Sequence, residues 1–265
     1  VRSARKILMG LLALAVLAAF LVPPLPTGAL KVVRPFLIYY GGTPDPASEA
    51  QAMALARRMR GYRVVVLGLA THAPAFTERL LRLLPHTVFY GYADAGHVSF
   101  QHVATRLRLL RRLGVQGVLL DDIGTGLSAD ALSLRTVVRL AQREGLRVML
   151  NAWDPRDVLS LPLRPGRDAV LCENWVYSEG AWAEPRSAAV YAALRSLEAR
   201  GVLVFMIVTS NATPSPKAPP AAGVSATARA IFGDYLSLSD PIYSADSDAI
   251  FPAAALRRVL GRLGF

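Results

Sequence analysis

Two short apolar runs in this chain end abruptly on acids. One is Val118-Leu119-Leu120-Asp121-Asp122 and the other is Val170-Leu171-Cys172-Glu173-Asn174. Apolar runs of this length read as strands buried on both faces, the kind found in parallel sheets. Charge is costly inside such a strand, so each acid belongs where its strand leaves the core. In a parallel barrel all strand ends of one polarity open onto a single face, and that face carries the chemistry. Two carboxyl groups facing each other there are what cleavage of a glycosidic bond requires.

The elements that must position these acids alternate along the chain. Strand-like runs fall at Phe36–Tyr40, Arg63–Leu69, Thr87–Tyr92, Gly117–Asp121, Arg147–Asn151, Ala169–Glu173, Val202–Thr209 and Tyr235–Ser239. Helical segments lie between them. Asp45-Pro46 reads as the start of a helix over Ala47–Arg60, and Ser99, Ser128, Gly114, Gly145 and Gly201 supply further start and stop signals. A Pro- and Ala-rich loop covers Ser210–Gly223, and the last helix is Ala253–Leu263. Eight strands alternating with about eight helices predict a single α/β domain over residues 30–265, a (β/α)₈ barrel of the TIM type. A doubly wound open sheet is the alternative. It would carry a glycine-rich phosphate turn after the first strand, and Gly41-Gly42 is too short for that fingerprint.

A barrel would gather the strand ends at one mouth. In order these bring Tyr39; Tyr92 and Asp94; Asp121 and Asp122; Asn151 and Trp153; Glu173, Asn174 and Trp175; and Asp240 and Tyr243. Acids, amides and aromatic rings are the mixture that binds sugars: rings stack on the pyranose face, and polar groups take the hydroxyls. No lysine stands at these strand ends, which disfavours Schiff-base chemistry. Asp121 and Asp122 cannot both face the interior of a regular strand, because side chains alternate. His72 and His97 lack the spaced partners of a metal site, so no metal and no cofactor is expected.

The composition narrows the partners. The 265 residues carry 30 Lys and Arg against 19 Asp and Glu, a formal charge of +11. Arg2, Arg5 and Lys6 precede an apolar run from Ile7 to Val22, and Pro23-Pro24-Leu25-Pro26 follows. That layout predicts a signal peptide or membrane anchor over residues 1–29. It implies a domain that is secreted or held on the outer side of the cytoplasmic membrane, with membrane association through residues 7–22. Without residues 1–29 the charge is near +8. No zinc-finger spacing or RNA-binding signature accompanies that charge, so nucleic acid is not expected as a partner. The one cysteine, Cys172, rules out an intrachain disulfide and reads as a small buried apolar residue.

Gly117–Asp122, with its apolar strand ending in paired acids, resembles the fourth strand of spherulin-4-like proteins and of the endo-α-1,4-polygalactosaminidase glycoside hydrolases. Asn151, the run Asp168–Glu173, Gly91-Tyr92, and Tyr235–Asp240 followed by Tyr243 resemble further strands of that pattern in order. The chain departs from it at Ala152-Trp153, where the family has Pro-Gly, and at Tyr39–Gly42. The resemblance implies an exported retaining glycoside hydrolase that cleaves a galactosamine-type polysaccharide. Asp121 and Glu173 would be its catalytic carboxyls, Asp121 the nucleophile and Glu173 the acid. Strands four and six are two apart, a gap of roughly 5–9 Å that spans both retaining and inverting geometries. A deacetylated galactosamine polymer is cationic, so binding it requires a locally acidic cleft on a basic protein. Two rivals stand beside this reading. One is a non-catalytic carbohydrate-binding barrel tethered at the membrane or cell wall. The other is a hydrolase of phosphate esters with a divalent metal on Asp121, Asp122 and Glu173.

Overall fold

The computed structural model describes residues 34–39, 48–68, 73–123, 131–172, 177–178, 181–182, 188–209 and 235–239. The strands are β1 (Arg34–Pro35), β2 (Leu37–Tyr39), β3 (Val64–Leu67), β4 (Val88–Asp94), β5 (Gly117–Ile123), β6 (Arg147–Ala152), β7 (Ala169–Cys172), β8 (Tyr177–Ser178), β9 (Ala181–Trp182), β10 (Leu203–Thr209) and β11 (Tyr235–Ser239). The helices are α1 (Glu49–Met59), α2 (Pro74–Leu83), α3 (Phe100–Arg112), α4 (Ala131–Arg143) and α5 (Ala188–Ala199), with a 3-10 turn at Pro155–Val158. The signal or anchor segment, the Ser210–Gly223 loop and the last helix lie outside the described residues. No helix among the described residues is long and apolar enough to cross a membrane.

β1 and β2 are the two halves of one strand, interrupted at Phe36. Arg34 pairs with Tyr235 of β11, while Leu37 pairs with Val65 of β3. The same strand therefore bonds both ends of the sheet, whose order is β1-β11-β10-β7-β6-β5-β4-β3-β2 with every pairing parallel. This is a (β/α) barrel, not an open doubly wound sheet. The sequence pattern did not announce β8 and β9, a small antiparallel hairpin after β7.

Alternation along each strand separates two cores. Phe36, Val64, Val66, Tyr90, Leu119, Met149, Leu171 and Phe205 fill the barrel interior, with the rings of Phe36 and Phe205 edge to face at 4.9 Å. Their neighbours Leu37, Val65, Val118, Val148, Val170 and Val204 pack outward against the helices. Cys172 belongs to that outer layer, as a small buried residue. Tyr90 needs room across the barrel. A Cβ on Gly117 would lie 2.4 Å from its ring, so only glycine fits there. Ser48, rather than Asp45, caps α1 by accepting from the Gln51 N–H, and Ser99 caps α3 by accepting from the His102 N–H.

The end where strands begin is tied together by Asp168, which has no exposed surface. Its Oδ1 accepts from the Val148 N–H and an Arg164 Nη, and its Oδ2 accepts from Gln142 Nε2 and from the Arg164 N–H and Nε. Burial pushes this carboxyl up, but the Arg164 guanidinium and the backbone donors outweigh it and hold Asp168 below its ordinary value. Such a group contributes stability that is complete above the unfolded pKa, near 4, and is lost as pH falls through the folded value. Asp168→Asn should cost about 3 kcal/mol, since it puts an amide NH₂ among the donors that surround this buried carboxylate and removes the charge that Arg164 pairs with. In urea unfolding, the gap between the parent and this variant should stay constant above about pH 5 and shrink below about pH 4.

Candidate active site at the carboxyl end of the barrel

The site is built where β4, β5 and β6 leave the core. Tyr92 and Asp94 on β4 share the interior-facing register, and Asp94 pairs directly with Asp121 of β5. Asp121 is held from both neighbouring strands. The Tyr92 hydroxyl donates to its Oδ2 at 2.8 Å, and Asn151 Nδ2 of β6 donates to its Oδ1 at 2.6 Å. Two neutral donors, one per oxygen, fix the orientation of the carboxylate without neutralising it. The strand behind Tyr92 is itself anchored, because Arg106 of α3 donates through Nε to the Tyr92 carbonyl at 2.9 Å. Burial pushes the Arg106 guanidinium down from its ordinary value.

Strict alternation would turn Asp122 away from this face, but the strand is irregular here. The β5–β6 register shifts between Leu120 and Ile123, and Asp122 has φ of +57°. A bulge of this kind re-aims a side chain at the rim of a barrel. Asp122 thereby reaches His97, with its Oδ2 3.1 Å from Nδ1, and the same nitrogen lies 3.4 Å from Asp94 Oδ1. The two acids therefore point in different directions at the open end, Asp121 inward and Asp122 towards the β4–α3 loop. Asp94 Oδ1 also accepts from the Gly96 and His97 N–H groups, folding the β4–α3 loop back over its own strand end. Gly96 makes that fold feasible, because a Cβ there would sit 2.6 Å from the Asp122 carbonyl oxygen and 2.7 Å from its Cβ.

Asp94, His97 and Asp122 offer ligand atoms within 4.8 Å of one another, a set able to hold a divalent cation. His97 thus has two carboxylate neighbours, which its spacing in the sequence did not announce. The only sequence signal was the Asp94–His97 spacing, and it acquires meaning only when the bulge brings Asp122 across. Burial pushes the Asp122 carboxyl above its ordinary value, the charges of Asp121 and Asp94 push it further, and His97 opposes them.

Beside Asn151, Trp153 stands 65% exposed at the rim, positioned to offer a flat apolar face. Asp154 is committed locally: it caps the 3-10 turn and pairs with Arg156. Tyr39 does not reach the mouth. It is buried in the layer between sheet and helices, because alternation sends Ile38 inward and Tyr39 outward. Glu173, Asn174, Trp175, Asp240 and Tyr243 lie outside the described residues. Glu173 directly follows Cys172, the last residue of β7, and β7 is the strand beyond β6 from Asp121.

No protein-family model matches this chain, and no curated protein matches it. Solved structures are similar in fold. The structure of L-ribulose 3-epimerase aligns at 12% identity over 88% of this chain and 95% of its own, with a TM-score of 0.55. A structure titled a structural study of a project target from Aquifex aeolicus VF5 aligns at 11% identity over 88% and 92%, with a TM-score of 0.50. A mandelate racemase/muconate lactonizing family protein from Azoarcus sp. EbN1 aligns at 14% identity and a TM-score of 0.46. There the match covers 68% of this chain and only 45% of that one. At these identities the first two likenesses support the barrel fold and nothing finer.

Two variants test the geometry. A carboxyl whose folded pKa is raised favours the fold below its unfolded pKa and loses that advantage as pH rises through the folded value. Asp122→Asn should therefore be more stable than the parent at pH 7, by no more than about 1 kcal/mol at this partly exposed site. The advantage should vanish in unfolding experiments below about pH 4. Gly96→Ala must displace backbone and should cost about 1–3 kcal/mol in the same measurement. Shifted His97 ring resonances in NMR spectra would locate the damage at the mouth.

Proposed function

We propose that this barrel is a glycoside hydrolase that cleaves a galactosamine-type or related extracellular polysaccharide with two carboxyl groups. The observation that carries the reading is the Asp121 carboxylate, held on both oxygens by Tyr92 and Asn151 at the mouth. A fixed anion at that position suits attack on, or stabilisation of, an anomeric carbon that becomes positive in the transition state. Glu173 is assigned the acid role. It would deliver its proton to the departing glycosidic oxygen, and as the resulting carboxylate it would take a proton from the incoming water. The sequence resemblance and the adjacency of β5, β6 and β7 support this pairing. Trp153 would offer a sugar-stacking face at the rim. Asp94, Asp121 and Asp122 make the mouth locally acidic on a basic protein, which answers the difficulty of a cationic sugar polymer.

The Asp94–His97–Asp122 cluster favours a second reading, in which a divalent cation bound there polarises the bond that is hydrolysed.

The test scores new reducing ends released from galactosamine and N-acetylgalactosamine polymers. Asp121→Asn and Glu173→Gln should each lower the rate at least 100-fold, on the order of what one acid–base or nucleophilic group contributes. A chelator should leave cleavage by the parent unchanged. Loss of activity with chelator, restored by Mg²⁺ or Mn²⁺, would move the assignment to the cation. Polymer binding without cleavage would make the protein a carbohydrate-binding barrel.

A further inference from the structure

Among the described residues, the end of the barrel where strands begin carries a group of exposed arginines. In a β/α barrel each helix returns the chain to the end where the next strand begins. Arg60, Arg63, Arg82, Arg111, Arg112 and Arg143 all stand at that end, in four successive helix-to-strand connections, and all six are exposed. None of the six has a carboxylate partner among the described residues. The described acids at this end are few: Asp168 is consumed by Arg164, leaving Glu144 and Glu198. Asp94, Asp121 and Asp122 lie at the opposite end, about 20 Å away along a seven-residue strand such as β5.

Helix dipoles explain part of this pattern. Cations in a last turn face the negative end of a helix, which accounts for Arg82, Arg111, Arg112 and Arg143. Arg60, the C-cap of α1, shares that setting, but Arg63, three residues further on, does not. Guanidinium groups are suited to phosphate, which they contact through two parallel hydrogen bonds. Several of them at one end of the barrel suit a surface that carries many phosphates. Arg34 opens β1 at the strand-start end, and in the sequence the apolar run Ile7–Val22 precedes it.

We propose that this arginine-lined face docks on an anionic phospholipid bilayer, so that the acidic mouth points away from the membrane. Each cation near such a surface contributes, and the attraction fades within a Debye length, about 10 Å at 0.1 M salt. The docking face and the mouth share no residue, so this inference stands apart from the proposed hydrolysis.

Flotation of the full chain with vesicles tests it. Phosphatidylcholine vesicles are compared with vesicles in which about a third of the lipid is phosphatidylglycerol. The full chain should partition more strongly onto the anionic vesicles, and rising NaCl should remove the difference. The triple variant Arg82→Gln, Arg112→Gln, Arg143→Gln should bind them on the order of 100-fold more weakly, with neutral vesicles unaffected. The matching triple Arg→Lys variant should retain binding, which separates lost charge from lost folding. A Gln triple that binds anionic vesicles as strongly as the parent would overturn the proposal. Charge-dependent binding to a short DNA duplex without any vesicle preference would overturn it in favour of a soluble polyanion.

Discussion

A strand at the edge of a sheet leaves a row of backbone donors and acceptors without partners, and in this protein the first strand removes both edges at once. Its beginning bonds β11 and its end bonds β3. Closure of this kind leaves no free ladder and forces every strand to present alternate residues to a common interior. The rest follows from that constraint. The interior must be packed, hence Tyr90 lying across the vacancy left by Gly117. The polar residues of the same register must be pushed to the ends, where Tyr92, Asp121 and Asn151 converge. At the other end, the buried carboxylate of Asp168 gathers donors from β6, from α4 and from the turn before β7.

The mouth works by departing from the regularity that closure imposes. A regular β5 would offer one acid to the open face and hide the next. The bulge at Asp122 spends a left-handed residue to offer both, in different directions. Asp121 stays inside, oriented by neutral donors. Asp122 swings towards Asp94 and His97. The two adjacent residues thus have different surroundings: Asp121 is held by Tyr92 and Asn151, while Asp122 faces His97 and is pushed up by burial and by neighbouring acids. Separation of that kind is how neighbouring carboxyls come to play different chemical parts.

Charge is arranged on the same axis. A total of +11 describes the chain poorly, because among the described residues a group of exposed arginines stands where strands begin while Asp94, Asp121 and Asp122 gather at the mouth. Local field, not net charge, decides what enters a cleft or rests against a face. The two ends of the barrel consequently suit partners of opposite sign.

Much of the fold is legible along the chain. The apolar runs around Val64–Leu67, Gly117–Leu120 and Leu203–Thr209 fall where strands form, and Ser99 marks the start of its helix. These are local decisions, made by hydrophobic period and by residues that cap or break an element. Asp121 and Asn151 are legible for the same reason, as polar residues at the ends of apolar strands. Tyr39 and His97 are not. Whether Tyr39 faces the mouth or the helices depends on strand register, a one-residue matter settled by pairing with β3. His97 acquires partners only because a bulge in β5 turns Asp122 towards a loop that follows β4. The sequence by itself determined the alternation of elements and the acids at their ends, because those are set by neighbours along the chain. The tertiary structure alone decided which acids meet and how Asp122 joins His97, because those contacts join residues about 25 positions apart or more and rest on register and backbone twist that no local pattern encodes.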